Sequence, residues 1–246
     1  NSTLSGLTDG LSVMAWVRPD TLSGVHRILA HARTSSTDGF GFGTSGSGLR
    51  FTAFGVGDYG TLDTALVLGQ WQHVAVVFQG GSATFYLDGA ARETITGTAP
   101  IQANADDPLL VGTTTQVGSA QPLEAFDGTL DEVRLFHRAR VPDEVRHYAQ
   151  QRVAGVAALE LAFVSNSPGS TFYNGALPLG TVLYLPLDAS TGGPGGGGET
   201  RFADLSTNAL LATCSGSSCP ATGALGHSGQ APRFDGQNDY LALADH

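Results

Sequence analysis

Trp71-Gln72-His73-Val74-Ala75-Val76-Val77-Phe78, then Gly80-Gly81, then Ala83-Thr84-Phe85-Tyr86-Leu87: two β-branched and aromatic runs flank a diglycine in this stretch, and it decides the fold class. Glycine accepts the left-handed backbone that a tight two-residue hairpin turn requires, so the two runs read as an antiparallel pair. Outward from it, residues 11–17 read as a strand that stops at Arg18-Pro19-Asp20. Residues 27–32, 39–43, 49–54, 109–112 and 128–136 read as further strands, separated by clusters such as Thr44-Ser45-Gly46-Ser47-Gly48. Residues 142–151 are the one convincing helix, because proline and acids occupy its first turn. Many short strands with almost no helix predict an all-β sandwich or jelly roll.

Composition agrees. The chain of 246 residues is 41% hydrophobic and 14% charged and holds 34 glycines, which suits a large β core with tight turns. Its formal charge is −10, and arginine supplies every basic side chain. A surface of that sign is a poor partner for phosphate, so nucleic acid is not expected. No apolar run reaches the roughly 18–20 residues of a membrane span, and neither a signal peptide nor an initiator methionine opens the chain. Cys214 and Cys219, five positions apart around Gly216, are read as a local disulfide, with a reduced pair in a loop as the alternative. A disulfide would place the protein in an extracellular or cell-surface setting.

Four segments carry a family resemblance. Residues 12–17 are similar to an "SVxAWV" strand, Trp71-Gln72-His73-Val74-Ala75 with Tyr86-Leu87-Asp88-Gly89 to "WxHVA" and "YLDG", and residues 128–136 to "GxIDEVRIY". Residues 183–188 with 234–240, which contain Phe234-Asp235-Gly236, resemble the opening of the same module. Together they resemble the laminin G-like family, which implies a concanavalin A-like jelly-roll sandwich of antiparallel strands. The order departs from the family, since its opening third comes last. Residues 1–151 are therefore expected to supply the C-terminal two-thirds of a sandwich, 152–180 a connector with a strand, and 181–246 the N-terminal third of the same or the next repeat. A tandem array and a circular permutation both explain that order.

Little points to catalysis. The histidines are scattered, no Gly-x-Ser-x-Gly or His-Glu-x-x-His occurs, and His73 reads as a structural histidine. A retaining glycosidase needs two carboxyls about 5 Å apart. Asp131 and Glu132 are adjacent, and strand alternation would send them to opposite faces. No enzyme is expected.

The resemblance implies calcium at a sandwich edge, with Asp188, Asp204, Asn208 and Asp131 as the matching oxygens; simple turns and a buried acid are the alternative. It also implies glycan binding, for which Asp58 and Tyr59, beside Phe54 in one loop, are weak candidates against a role as edge cover. Asn1-Ser2-Thr3 matches a glycosylation sequon, and residues 192–198 read as a flexible glycine loop. Leu159, Leu161 and Phe163 share one face of residues 157–164 if that segment is extended, and are expected to contact a neighbouring module. The resulting expectation is an extracellular structural or adhesive repeat that joins copies of itself head to tail into a surface protein or filament. A carbohydrate-binding, lectin-like module is the alternative, with cell-surface or matrix glycans as partners.

Overall fold

The structure is a computed structural model, and it describes residues 4, 6–61, 65–104, 107–116, 121–151, 180–188, 190–191 and 199–243. Strands pair into an eight-stranded sheet, a nine-stranded sheet and a small three-stranded one. The diglycine hairpin forms as expected: Gln72–Gln79 pairs with Ser82–Leu87 from Val74↔Leu87 to Gln79↔Ser82. Gly80 and Gly81 have φ of 57° and 74°, and two left-handed residues in succession give a turn whose twist matches the strands.

Gly10–Pro19 is the hub of the eight-stranded sheet, pairing with Gln72–Gln79 on one side and Asp127–Phe136 on the other. Alternation sends its Val13, Ala15 and Val17 inward. There they join Val74, Val76, Leu130 and Leu135 and meet Phe42, Phe51, Leu109 and Leu241 of the nine-stranded sheet. All of these are buried, and each large side chain removed from water contributes roughly 1.5–3 kcal/mol.

One register break redirects two acids. Met14 faces Arg134 but Trp16 faces Asp131, so Ala15 alone spans the extra residue of a bulge. Glu132 takes φ 55° there, and its carboxylate accepts from the outward-facing Arg134 at 2.6 Å. Asp131 and Glu132 are therefore on the same, outer face, contrary to the strict alternation predicted for them. The bulge inserts a residue, and the period of two fails at that point.

Residues 180–243 fold into the same two sheets as the earlier part of the chain. Thr181–Leu185 pairs with the second half of Asp127–Phe136, and Gln230–Asp235 pairs with its first half. Leu241–Leu243 lies between Leu109–Val111 and Leu211–Ser215 in the nine-stranded sheet. Gly112, at φ 87°, gives way to the Phe234 ring, which a Cβ at that position would enter. Residues 152–179 of the expected connector, with Leu159, Leu161 and Phe163, lie outside the described residues, as do the Asn1 sequon and the 192–198 glycine loop.

The helix spans Pro142–Gln150 and packs Val145 and Tyr148 on Met14, Ala75, Tyr86 and Phe136. Glu144 anchors it: its carboxylate accepts from Arg138 at 2.6 Å, Arg140 at 2.8 Å and the Val141 backbone N at 3.0 Å. Cys214 and Cys219 are joined, with Cα atoms 5.1 Å apart and Gly216 at φ 57° inside the loop they close.

Candidate functional site

Phe40-Gly41-Phe42-Gly43 is the local signal for the site. Its phenylalanines point inward, so its glycines leave the outer face of the nine-stranded sheet bare, and Arg27 fills that space. Strand register sets Arg27 beside Gly43 and Arg50, and sets Gly41 beside Thr52 and Asp58. A Cβ on Gly41 would come within 3.0 Å of the Arg27 guanidinium, so glycine is what lets the arginine lie flat.

From there a polar chain runs outward. Arg27 Nε donates to Glu124 Oε2 at 2.6 Å, and its Nη1 donates to Thr52 Oγ1 at 2.9 Å. Thr52 Oγ1 donates in turn to Asp58 Oδ1 at 2.6 Å, and Arg50 approaches the other Asp58 oxygen at 3.5 Å. The guanidinium of Arg27 also lies 5.4 Å from the centre of the Phe54 ring. Side-chain exposure rises along this chain, from 3% at Arg27 to 27% at Glu124, 31% at Arg50 and 50% at Asp58. A buried cation thus fixes two partly exposed carboxylates, and such charge-assisted bonds hold geometry well. The arrangement can offer two acceptors and one guanidinium to a polar ligand without first ordering long side chains.

Asp58 belongs to this chain, although it lies on the short edge strand Gly57–Gly60 and not in the loop predicted for it. Tyr59 does not join it. It points to the opposite face, packs against the core, and its hydroxyl accepts from the Ala99 backbone at 3.1 Å. Arg27, Arg50, Thr52 and Glu124 are missed by sequence reasoning. Arg27 and Glu124 are 97 positions apart, and only the glycine alternation at 40–43 signals that the outer face makes room for a large side chain.

The four oxygens that the resemblance suggests for calcium fall into two groups. Asp204 accepts from Tyr184 N, Ser206 N, Ser206 Oγ and Leu210 N, while Asn208 donates to the Val182 carbonyl. These two, with Ser206, cover the free edge of Thr181–Leu185. Asp131 and Asp188 instead accept from Ser228 N and Gln230 N, backbone groups around the Gly226–Gly229 turn. Asp188 also lines a cavity of about 190 Å³ with Phe202, Thr222 and Gln230. Among the described residues no three acidic, histidine or cysteine side chains converge as a metal-holding group. The four side chains are thus held in two separate sets of hydrogen bonds. No helix among the described residues is long and apolar enough to cross a membrane.

Comparison with known proteins places this architecture. No curated protein sequence matches the chain. Among solved structures, a proposed carbohydrate binding protein from Bacteroides ovatus superposes with a TM-score of 0.53 at 20% identity, over 80% of this chain and 49% of that one. The chain therefore spans about half the length of that protein. The CBM40 of the Ruminococcus gnavus IT-sialidase, bound to α2,3-sialyllactose, is similar at a TM-score of 0.49 and 12% identity, over 58% of this chain and 84% of that one. The heptameric SAP-like pentraxin of Limulus polyphemus is similar at 0.47 and 17%, over 58% and 70%. The laminin G-type family model, described as the concanavalin A-like lectin/glucanases superfamily, matches residues 1–146. That match takes in more than half of the chain, and its antiparallel two-sheet architecture is the one observed here, so the chain belongs to the concanavalin A-like lectin/glucanase superfamily.

Proposed function

We propose that the chain is an extracellular carbohydrate-binding module that takes a saccharide on the outer face of the nine-stranded sheet, at Arg50, Asp58 and Glu124. The observation that carries this is the buried Arg27, which bonds the partly exposed Glu124 directly and reaches the exposed Asp58 through Thr52. Sugar hydroxyls both donate and accept, and a fixed carboxylate beside a guanidinium answers both needs. The Bacteroides ovatus protein, of the same fold, is named for carbohydrate binding. The Cys214–Cys219 bond suits an oxidising compartment, where such bonds persist.

Calorimetric titration of the chain with a panel of neutral and acidic oligosaccharides tests the reading. Arg50→Ala and Asp58→Asn should each weaken binding about 10–100-fold, the effect of losing one charge-assisted bond. Binding that neither substitution changes would move the site elsewhere, and a panel with no binder would end the proposal.

A second reading, assembly with another copy of the chain, is favoured by one edge of the eight-stranded sheet. Among the described residues Ala221–Leu225 is the outermost strand there, carries no charge and no proline, and leaves Leu225 81% exposed. The opposite edge, Ala90–Thr96, is guarded by Arg92 and Glu93. If copies pair through Ala221–Leu225, sedimentation will show a concentration-dependent dimer that Leu225→Asp abolishes; a monomer at all concentrations removes this reading.

A further inference from the structure

On the outer face of the eight-stranded sheet, register places His73, Trp16 and Asp131 in one row across three strands. Adjacent strands are about 4.8 Å apart, so an indole is flanked by an imidazole on one side and a carboxyl group on the other. The turn Gly226-His227-Ser228-Gly229 covers the row. His227 stacks on Trp16 with ring centres 3.4 Å apart and planes 7° from parallel, and Trp71 meets the same imidazole edge-on at 6.4 Å. These are the only two tryptophans of the chain.

Beneath the turn, hydrogen bonding is incomplete. His73 and Asp131 are fully buried and Ser228 is 5% exposed. Yet both His73 ring nitrogens, Asp131 Oδ1 and Ser228 Oγ have no hydrogen-bond partner among the described residues. Buried polar atoms are nearly always paired, so four such atoms around one aromatic ring mark a surface suited to an additional partner. The cover is shaped for release. Glycines sit at both ends of the turn, Gly226 N donates to Gly229 O at 3.1 Å, and Gly229 is left-handed at φ 64°. Ser228 N rests on Asp131 Oδ2 at 2.9 Å.

We infer that the His73–Trp16–Asp131 row is a second saccharide subsite, for a neutral pyranose ring, which the Gly226–Gly229 turn closes by placing His227 where the sugar would stack. The flat C–H face of a pyranose suits an indole, and its hydroxyls suit the unpaired carboxyl, imidazole and hydroxyl atoms around it. A neutral sugar suits these surroundings, because the one guanidinium that acts on His73, that of Arg134, is already held by Glu132 at 2.6 Å. Burial is the main cause that raises Asp131 to about 8 and lowers His73 to about 3, so both are uncharged near pH 7. The subsite shares no residue with the Arg27 face.

The test uses the full chain with Arg50→Ala and Asp58→Asn, which silences the first face, and follows tryptophan emission with millimolar glucose, galactose or N-acetylglucosamine. Adding His227→Ala should uncover Trp16 and tighten binding of at least one of these sugars about tenfold relative to the same background with His227. Gly226→Ala is the second opening variant, because its Cβ would lie 2.8 Å from Asp131 Oδ2 and 2.7 Å from Ser228 O and should push the turn away. Trp16→Phe added to either should abolish the emission response. Three results overturn the inference: folded His227→Ala and Gly226→Ala proteins whose emission ignores all three sugars, binding that survives Trp16→Phe unchanged, or loss of folding in both opening variants, which would make the turn a structural lid. Failure of the first proposal would appear differently, as wild-type binding insensitive to Arg50→Ala and Asp58→Asn.

Discussion

The helix-covered half and the turn-covered half of one sheet face treat buried polar groups in opposite ways. Under the helix, charge is matched: Glu144 takes Arg138 and Arg140, Glu132 takes Arg134, and the Arg134 guanidinium also lies 4.2 Å from the Tyr184 ring and 4.9 Å from Tyr148. Under the turn, His73 and Asp131 meet their burial by losing charge. One apolar environment can thus be met by pairing or by neutralisation. Pairing fixes an element in place, whereas neutralisation leaves hydrogen-bonding capacity in reserve.

The paired half should respond most strongly to substitution. Glu144→Ala leaves Arg140 buried without its carboxylate and should cost about 3–5 kcal/mol in denaturant unfolding. The Arg146–Asp143 pair on the same helix is more than half exposed at both ends, and Asp143→Ala should cost under about 0.5 kcal/mol. Similar costs for the two would mean that the helix does not depend on its buried anchor.

In the neutralised half the expected change is smaller and depends on pH. Asp131 has its value raised from 3.8 to about 8 in the fold, so the stability it contributes is full below pH 3.8 and is lost as pH rises towards 8. His73 is lowered from 6.5 to about 3, so its contribution is full above pH 6.5 and is lost as pH falls towards 3. Between 3.8 and 6.5 the two slopes oppose and cancel. From 6.5 to 8 only Asp131 acts, and wild-type stability should fall by about 2 kcal/mol over that interval. Asp131→Asn should remove that fall; a variant that keeps it would show that Asp131 is ionised in the fold.

Much of the architecture is legible because local chemistry and topology agree. The diglycine turn can only join adjacent antiparallel strands, and Pro142 with its acids can only start a helix. Residues 199–225 do not read as strands, because Glu199–Ala203 and Ala221–Leu225 are short, polar or small-residue segments that owe their structure to pairing. The Glu132 bulge is invisible for a related reason: alternation predicts faces only while the register holds. The candidate site is least legible. Asp58 stands out beside its aromatic neighbour, but Arg27 and Glu124 meet only after several strands and a loop have been folded, and no spacing encodes that.

The place of Leu241–Leu243 between Leu109–Val111 and Leu211–Ser215 bears on biosynthesis. When residue 111 leaves the ribosome, the strand it ends already has Val25–His31 as a neighbour, but its other side stays open until some 130 further residues have been made. Closure of the nine-stranded sheet therefore depends on contacts very distant in sequence, the kind that fold slowly and leave apolar edges exposed meanwhile. A nascent chain stalled between residues 111 and 241 would carry that open side into a crowded compartment, and chaperone demand should drop once Leu241–Leu243 is in place.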